Sequence, residues 1–136
     1  MILHLTHEKN IGDVQHEFNQ AYPYLKIEFY KKSDKSSEAY FRKHLPISTP
    51  IKSAGLTKNG NLEMNDAMSV GRLEKSFYEI FGLQAQVSRK SGRLWLETTM
   101  TDSWTLKQQN DHGRDLSAPE KSPITIYNEN ENDNSG

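Results

Sequence analysis

The sequence predicts a mixed α+β fold built from two tandem βαβ repeats. Residues 2–32 and 61–90 follow one template, at an offset of 59 residues that becomes 58 after a single deletion at a turn. Each copy places a stripe of apolar residues with the period of a helix between two segments with the alternation of a strand. A third observation is the dipeptide Ser91-Gly92 after the second copy, which is typical of a tight hairpin and adds one more strand.

Pairs of similar residues at equivalent places define the repeat. In the helices the pairs are Ile11 and Val70, Gly12 and Gly71, Val14 and Leu73, Phe18 and Phe77, Ala21 and Ile80, and Tyr22 and Phe81. In the strands they are Leu3 and Leu62, Leu5 and Met64, and the octapeptides 25–32 and 83–90. Because self-similarity on this scale reflects a repeated structural unit, both copies are expected to have the same local structure.

The elements of the first copy follow from these patterns. Residues 2–6 are predicted to form a strand, and Asn10 is suited to cap the helix that follows, because its side-chain oxygen can accept a free backbone N–H. Pro23 ends that helix near Tyr22. A second strand over 25–31 points three residues inward, namely Leu25, Ile27 and Phe29.

Residues 33–60 depart from the repeat. Lys, Ser and Asp crowd the start, Pro46 and Pro50 follow, and a short helix is predicted over 36–44. A connection of this length in a small domain is often a binding element.

The second copy begins after the turn dipeptide Asn59-Gly60. A strand is predicted over 61–65, a helix from the cap Ser69 to about Phe81 with Gly82 as its C′ residue, and a strand over 83–89. A fifth strand over 93–99 follows, with Leu94 and Leu96 inward and Arg93, Trp95 and Glu97 outward. Thr105 and Gln108 resemble a capping box for a short helix closed by Gly113, and residues 122–127 are predicted to form a brief edge strand.

The simplest packing of two βαβ units is a ferredoxin-like sandwich, here with an extra C-terminal strand and short helix. Right-handed crossovers would place both helices on one face of a single sheet. The strand residues of the expected core are Leu3, Leu5, Leu62, Met64, Ile27, Phe29, Ala85, Val87, Leu94 and Leu96.

Charge and composition divide the chain into a domain and a tail. Residues 1–107 carry 15 Lys and Arg against 12 Asp and Glu, whereas residues 108–136 carry 2 against 6, so the net charges of +3 and −4 give the total of −1. We therefore expect an α+β domain over 1–113 and a mostly disordered acidic tail over 114–136, because so polar a segment cannot bury enough surface to offset its ordering entropy.

Several classes of function are disfavoured by the sequence. The chain has no cysteine, and its N-terminus lacks the basic and long apolar regions of a signal peptide, so a cytoplasmic location is expected. No apolar run has the roughly 20 residues of a membrane span. No metal-ligand spacing, phosphate-binding glycine loop or nucleophile elbow occurs, so we expect no cofactor, no metal and no enzyme activity.

The candidate binding surface is the polar face of the predicted sheet. Its members are His4, Lys26, Glu28, Tyr30, Glu63, Gln84, Gln86, Ser88, Arg93, Trp95 and Glu97. A tryptophan beside an arginine on such a face can anchor a peptide or stack a base. Alternatively, Trp95 is covered by residues 101–112, with Trp104 packed beside it, or by a second copy of the chain.

A second feature is the basic charge at the strand ends and the hairpin. Lys31-Lys32 and Arg89-Lys90 occupy equivalent ends in the two repeats, and Arg93 follows in the hairpin. This arrangement could contact phosphates, although the near-zero net charge also fits an ordinary solvated surface. The residues predicted to bind are Tyr30, Arg89, Lys90, Arg93 and Trp95.

Several segments carry a resemblance to known proteins, namely residues 11–18 and 22–29, Val87 to Thr99, Thr101-Asp102, Trp104 to Leu106 and Gln109-Asn110. In these segments the sequence resembles a family of small proteins of unknown function from Bacteroidetes-type bacteria. The resemblance covers about residues 1–113 and implies a bacterial, cytoplasmic protein rather than a standard enzyme. It assigns no role to any residue.

These observations favour a non-catalytic binding or adaptor module that meets a protein partner through the open sheet face or a sheet edge. The alternative is a nucleic-acid-binding module that uses the basic hairpin and strand ends. Self-association through an exposed strand edge is a third possibility and is compatible with the first.

Overall fold

The computed structural model describes residues 1–31 and 43–117, and it confirms the predicted α+β class. Along the chain the elements are β1 Ile2–Leu5, α1 Ile11–Ala21, β2 Leu25–Tyr30, β3 Gly60–Glu63, α2 Val70–Phe81, β4 Gln84–Ser91, β5 Leu94–Glu97 and α3 Leu106–Ser117. The strand predicted over 122–127 lies outside the described residues. So does the helix predicted over 36–44, apart from its last two residues, and of these His44 forms an isolated β-bridge with Tyr30.

Local hydrogen bonds at the helix starts confirm the predicted caps. Asn10 Oδ1 accepts from the Asp13 N–H at 2.8 Å, and the Asp13 carboxylate accepts from the Asn10 N–H at 2.9 Å. The same reciprocal pair joins Thr105 and Gln108 at 3.1 and 2.9 Å. Both helices thus begin where short polar side chains satisfy backbone N–H groups that the first turn leaves unpaired.

The strands form two antiparallel sheets in the described part of the chain. β1 pairs with β3, and β2, β4 and β5 form a three-stranded sheet in the order β2-β4-β5. The single sheet of a ferredoxin-like sandwich is therefore not confirmed. Each strand of the first repeat pairs with its counterpart in the second, so β1 and β2 belong to different sheets.

The pairing relates the two repeats by an approximate two-fold rotation. In the β1–β3 ladder Leu3 lies opposite Leu62, which is its own repeat counterpart. In the β2–β4 ladder Glu28 lies opposite its counterpart Gln86. Because antiparallel strands that pair equivalent residues are exchanged by a two-fold axis between those residues, each ladder has a local two-fold relation between the copies.

The duplication extends into the region that sequence analysis left outside the repeat. In the first copy, the Ile11 N–H donates to the Thr49 carbonyl oxygen and the Gly12 N–H to that of Ile47. The Ile51 N–H donates back to the Lys9 carbonyl oxygen, and all three distances are 2.8–2.9 Å. In the second copy, the Val70 N–H donates to the Trp104 carbonyl oxygen and the Gly71 N–H to that of Asp102. The Leu106 N–H donates back to the Met68 carbonyl oxygen, and the distances are 2.8–3.0 Å. Residues 47–51 are therefore the structural counterpart of residues 102–106.

Close backbone approach explains the glycine at the start of each repeated helix. A Cβ atom at Gly12 would lie 3.3 Å from the Ile47 carbonyl oxygen, and one at Gly71 would lie 3.3 Å from that of Asp102. Both glycines therefore serve the contact between helix start and returning segment, and no phosphate loop is needed to account for them.

One apolar core joins both repeats. The helices contribute Ile11, Val14, Phe18, Val70, Leu73, Phe77 and Phe81, which are all buried. The rings of Phe29 in β2 and Phe77 in α2 meet edge to face at 5.5 Å. Ile51, Ala54 and Leu56, from the segment predicted to be a loop, are also buried in this core.

Helix α3 is longer than predicted. It passes through Gly113, which was expected to end it, and continues to Ser117. Gly113 is buried there because α3 packs on the β2–β4 region. A Cβ atom at this position would lie 2.9 Å from the Cβ of Tyr24 and 3.0 Å from the Cγ of Arg89.

Replacing Gly113 with alanine should destabilise the protein, although the same change at an exposed helical site usually stabilises by up to about 1 kcal/mol. The added methyl group has no room between α3 and Tyr24, and we expect a loss of about 1–3 kcal/mol in the free energy of unfolding. Urea denaturation of wild type and Gly113→Ala measures this difference in the free energy of unfolding. The exposed Asp115→Ala variant is the control, and a stabilised Gly113→Ala variant would show that α3 does not pack here.

The hydroxyl of Tyr22 should make stability fall at alkaline pH. Burial, together with the hydrogen bond to Asp66 at 3.0 Å and the Asp66 charge, raises the pKa of Tyr22 from 10.0 to about 12. As pH rises, Tyr22 then ionises in the unfolded chain before it does in the folded one. The stabilisation that follows from this difference is complete below pH 10 and is lost between pH 10 and 12. Denaturation across this range should show a smaller decline for Tyr22→Phe than for wild type. Equal declines would exclude the effect.

Candidate functional site

On the three-stranded sheet, strand alternation predicts the polar face correctly. His4 and Glu63, which were predicted to share this face, lie in β1 and β3 of the other sheet, and Arg93 lies in the hairpin turn. The side chains on the face opposite the core are Lys26, Glu28, Tyr30, Gln84, Gln86, Ser88, Lys90, Trp95 and Glu97. Tyr30, Gln86 and Ser88 are nevertheless buried, with at most 8 % of their surface exposed. The face is therefore open only in part, mainly around Trp95.

A hydrogen-bonded cluster fills the covered part of this face. Tyr30 Oη donates to Glu97 Oε2 at 3.0 Å, and His44 Nε2 lies 3.0 Å from the same hydroxyl. His44 Nδ1 is 3.3 Å from Glu28 Oε2, and the rings of Tyr30 and His44 pack with their centroids 4.8 Å apart. Tyr30, predicted to contact a partner, instead joins β2 to β5 and holds the Glu97 side chain in place.

Trp95 is the partly exposed aromatic residue of this face. The ammonium groups of Lys26 and Lys90 lie 5.0 and 5.9 Å from its ring centroid, within the range of cation–π attraction. The ring lines an open cleft of about 260 Å³ whose other walls include His16 and Asn19 of α1. Trp104 does not pack beside it, since Trp104 contacts Arg89 and His112 at 5.8 and 5.4 Å.

The basic residues around the hairpin, Arg89, Lys90 and Arg93, do not form one surface, and Lys32 lies outside the described residues. Lys90 lies on the Trp95 face, whereas the neighbouring Arg89 points to the opposite face and packs under α3. Its Nη1 donates to Gln109 Oε1 at 2.8 Å. Arg93 is exposed in the hairpin turn. Of the five predicted binding residues, only Lys90 and Trp95 are therefore brought together on an accessible face.

The outer edge of β5 is a feature that sequence analysis did not single out. Thr98 N–H donates to the Val87 carbonyl oxygen at 3.2 Å, so the backbone groups of Leu94, Leu96 and Thr98 point toward β4. By the alternation of an antiparallel ladder, the N–H and C=O groups of Trp95 and Glu97 point away from the sheet. Within the described residues, β5 is the last strand in the order β2-β4-β5.

Apolar side chains flank this edge. Leu94 and Leu96 have 65 % and 41 % of their surface exposed, so the expectation that both are core residues is wrong. They lie on the face that the alternation predicts, but α3 covers β4 beside them and leaves them in solvent. The three consecutive apolar residues Leu94, Trp95 and Leu96 in a terminal strand were the available signal in the sequence.

The described residues provide neither a cluster of metal ligands nor a membrane-spanning helix. In residues 1–31 and 43–117 no group of three or more His, Asp or Glu side chains is arranged to hold a metal ion. None of the helices described there combines the length and apolar character that a bilayer crossing needs. No protein family, curated protein or solved structure matches this chain. The resemblance to small bacterial proteins therefore stays a prediction.

Truncating Leu94 should cost almost no stability, in contrast to an equally apolar residue of the core. We expect Leu94→Ala to change the free energy of unfolding by less than about 0.5 kcal/mol, because the side chain is already in water. Leu25→Ala, at a fully buried position of β2, should cost about 2–5 kcal/mol. Urea denaturation of both variants measures the difference. Similar losses would show that Leu94 is covered in solution.

Proposed function

We propose that this protein is a non-catalytic binding module that takes an extended segment of a partner protein at the outer edge of β5, which pairs with no other strand among the described residues. The observation that carries the proposal is the combination of outward backbone groups at Trp95 and Glu97 with exposed Leu94 and Leu96 on the same four-residue strand. In strand addition, the backbone groups give affinity and alternate side-chain contacts give specificity.

The composition of β5 supports this function. Natural edge strands are usually protected from pairing by Lys, Pro or a bulge. β5 has the sequence Leu-Trp-Leu-Glu and contains none of these devices. Its one charged side chain, Glu97, is held by the Tyr30 hydroxyl at 3.0 Å on the polar face and leaves the backbone edge accessible.

The structure also supports specific rather than indiscriminate pairing. The hydrogen bond from Tyr30 Oη to Glu97 Oε2 joins β2 to β5, and His44 packs against the same hydroxyl, so the edge is ordered before a partner arrives. Ordering in advance lowers the entropy that binding costs. The cleft beside Trp95 can then accept one partner side chain on the polar face, while Leu94 and Leu96 contact apolar side chains on the other.

Nucleic-acid binding is the second candidate, and the two lysines beside the Trp95 ring are the observation in its favour. An aromatic ring between cations can stack a base while the lysines contact phosphates. The position of Arg89 on the opposite face removes one of the charges on which this function was predicted to depend. If it operates, the affinity for a single-stranded oligonucleotide will fall steeply with salt concentration.

A proline at position 97 tests the edge directly. Glu97→Pro removes an N–H that points away from the sheet and keeps the ladder bonds of Leu96 and Thr98, whereas Glu97→Ala loses the same side chain but keeps the N–H. We expect partner proteins recovered from nuclease-treated bacterial lysate to bind wild type, with at least tenfold more bound by Glu97→Ala than by Glu97→Pro.

Hydrogen exchange on the recovered complex identifies where the partner binds. The amides of Trp95 and Glu97 should exchange more slowly in the complex than in the free protein, because they become donors to the added strand. Unchanged exchange at these amides, or equal recovery by Glu97→Pro and Glu97→Ala with both variants folded, would contradict strand addition. Recovery that disappears with nuclease would favour the second candidate.

A further inference from the structure

The β5 edge is complementary to itself when two copies meet antiparallel. If Leu96 lies opposite Leu96 of a second copy, then Trp95 lies opposite Glu97 of that copy and Glu97 opposite its Trp95. The backbone groups of both residues point outward, so these opposed residues can exchange N–H···O=C bonds in each direction. Four such bonds about one two-fold axis would join the two three-stranded sheets into one.

Side-chain chemistry favours this register on the polar face. Lys90 lies beside Trp95 on this face and, within residues 1–31 and 43–117, has no carboxylate within 4 Å. Antiparallel pairing would place Glu97 of the second copy next to Trp95, in line with Lys90. The row would then run from the Lys90 cation through the Trp95 ring to the Glu97 carboxylate of the second copy, and each neighbouring pair in it attracts.

The opposite face favours the same register. The two Leu96 residues would form a non-hydrogen-bonded pair, because their backbone groups point away from one another. In such a pair the cross-strand Cα atoms are about 4.5 Å apart and the side chains are closest. Leu96 is 41 % exposed in the single chain, so this contact removes apolar surface from water. A shift by two residues would oppose Leu94 to Leu96 and move Glu97 away from Trp95.

We infer that a second copy of this chain is an occupant of the β5 edge, paired antiparallel with Leu96 on the two-fold axis. The inference rests on the edge geometry used in the proposed function and adds that self-pairing covers the partner site. An interface limited to one short strand is small, so the dimer is expected to be weak and to give way to a tighter partner.

The absence of cysteine from the whole chain makes the register testable by one cross-link. A disulfide needs Cα atoms about 4.4–6.8 Å apart, which the proposed axis provides at position 96. At position 94 the two copies would be about 14 Å apart along the strands, since four residues separate them. Leu94 is also the more exposed of the two residues, so cross-links that form by random collision would be faster at position 94 than at position 96.

Oxidation of the Leu96→Cys and Leu94→Cys variants under identical conditions is the experiment, read as the fraction of disulfide-linked dimer on a non-reducing gel. We expect Leu96→Cys to cross-link at least tenfold faster than Leu94→Cys, and to lose this advantage when Glu97→Pro is added. Circular dichroism confirms that each variant is folded, as the exposure of both leucines leads us to expect.

Equal rates for the two variants, faster cross-linking at position 94, or a Leu96→Cys rate unaffected by Glu97→Pro would each overturn the inference. None of these results bears on the proposed function, which fails separately if Glu97→Pro leaves partner recovery unchanged. In light scattering, the wild-type mass should rise above the 15.6 kDa of one chain as the concentration increases. A mass that stays at that value up to millimolar concentration also overturns the inference.

Discussion

Antiparallel pairing between equivalent strands of the two repeats is the constraint on which the rest of this structure depends. Neither repeat can bury its apolar helix stripe alone, because one helix and two unpaired strands leave backbone groups and apolar surface in water. Pairing β1 with β3 and β2 with β4 satisfies those groups and brings α1 and α2 onto one core. The central pair of each ladder joins a residue to its own counterpart, so each ladder has an approximate two-fold relation between the copies.

The two copies also share a set of backbone hydrogen bonds at their helix starts. Each helix start receives a returning segment, residues 47–51 in one copy and 102–106 in the other, whose carbonyl oxygens accept the first N–H groups of the helix. These segments satisfy donors that the first turn of a helix cannot satisfy itself. The close approach they need is the reason that Gly12 and Gly71 are both glycine.

The candidate site lies on the β5 side of the three-stranded sheet. In the second copy, β5 extends the sheet beyond β4 and ends it with an apolar strand. In the first copy, His44 forms a single bridge to β2 and contributes its side chain to the cluster with Tyr30 and Glu28.

The sequence by itself determined the α+β class, the repeat, the helix caps at Asn10, Ser69 and Thr105, and the face on which each strand residue lies. These depend on residue type and on spacing over a few positions, which local physical chemistry controls. The tertiary structure alone decided which strands pair, and hence that the described strands form two sheets rather than one. It also decided that Leu94 and Leu96 are exposed, that Arg89 and Lys90 lie apart, and that Tyr30 is buried. Alternation specifies the face of a side chain but not what covers that face, because coverage depends on contacts between residues far apart in the chain.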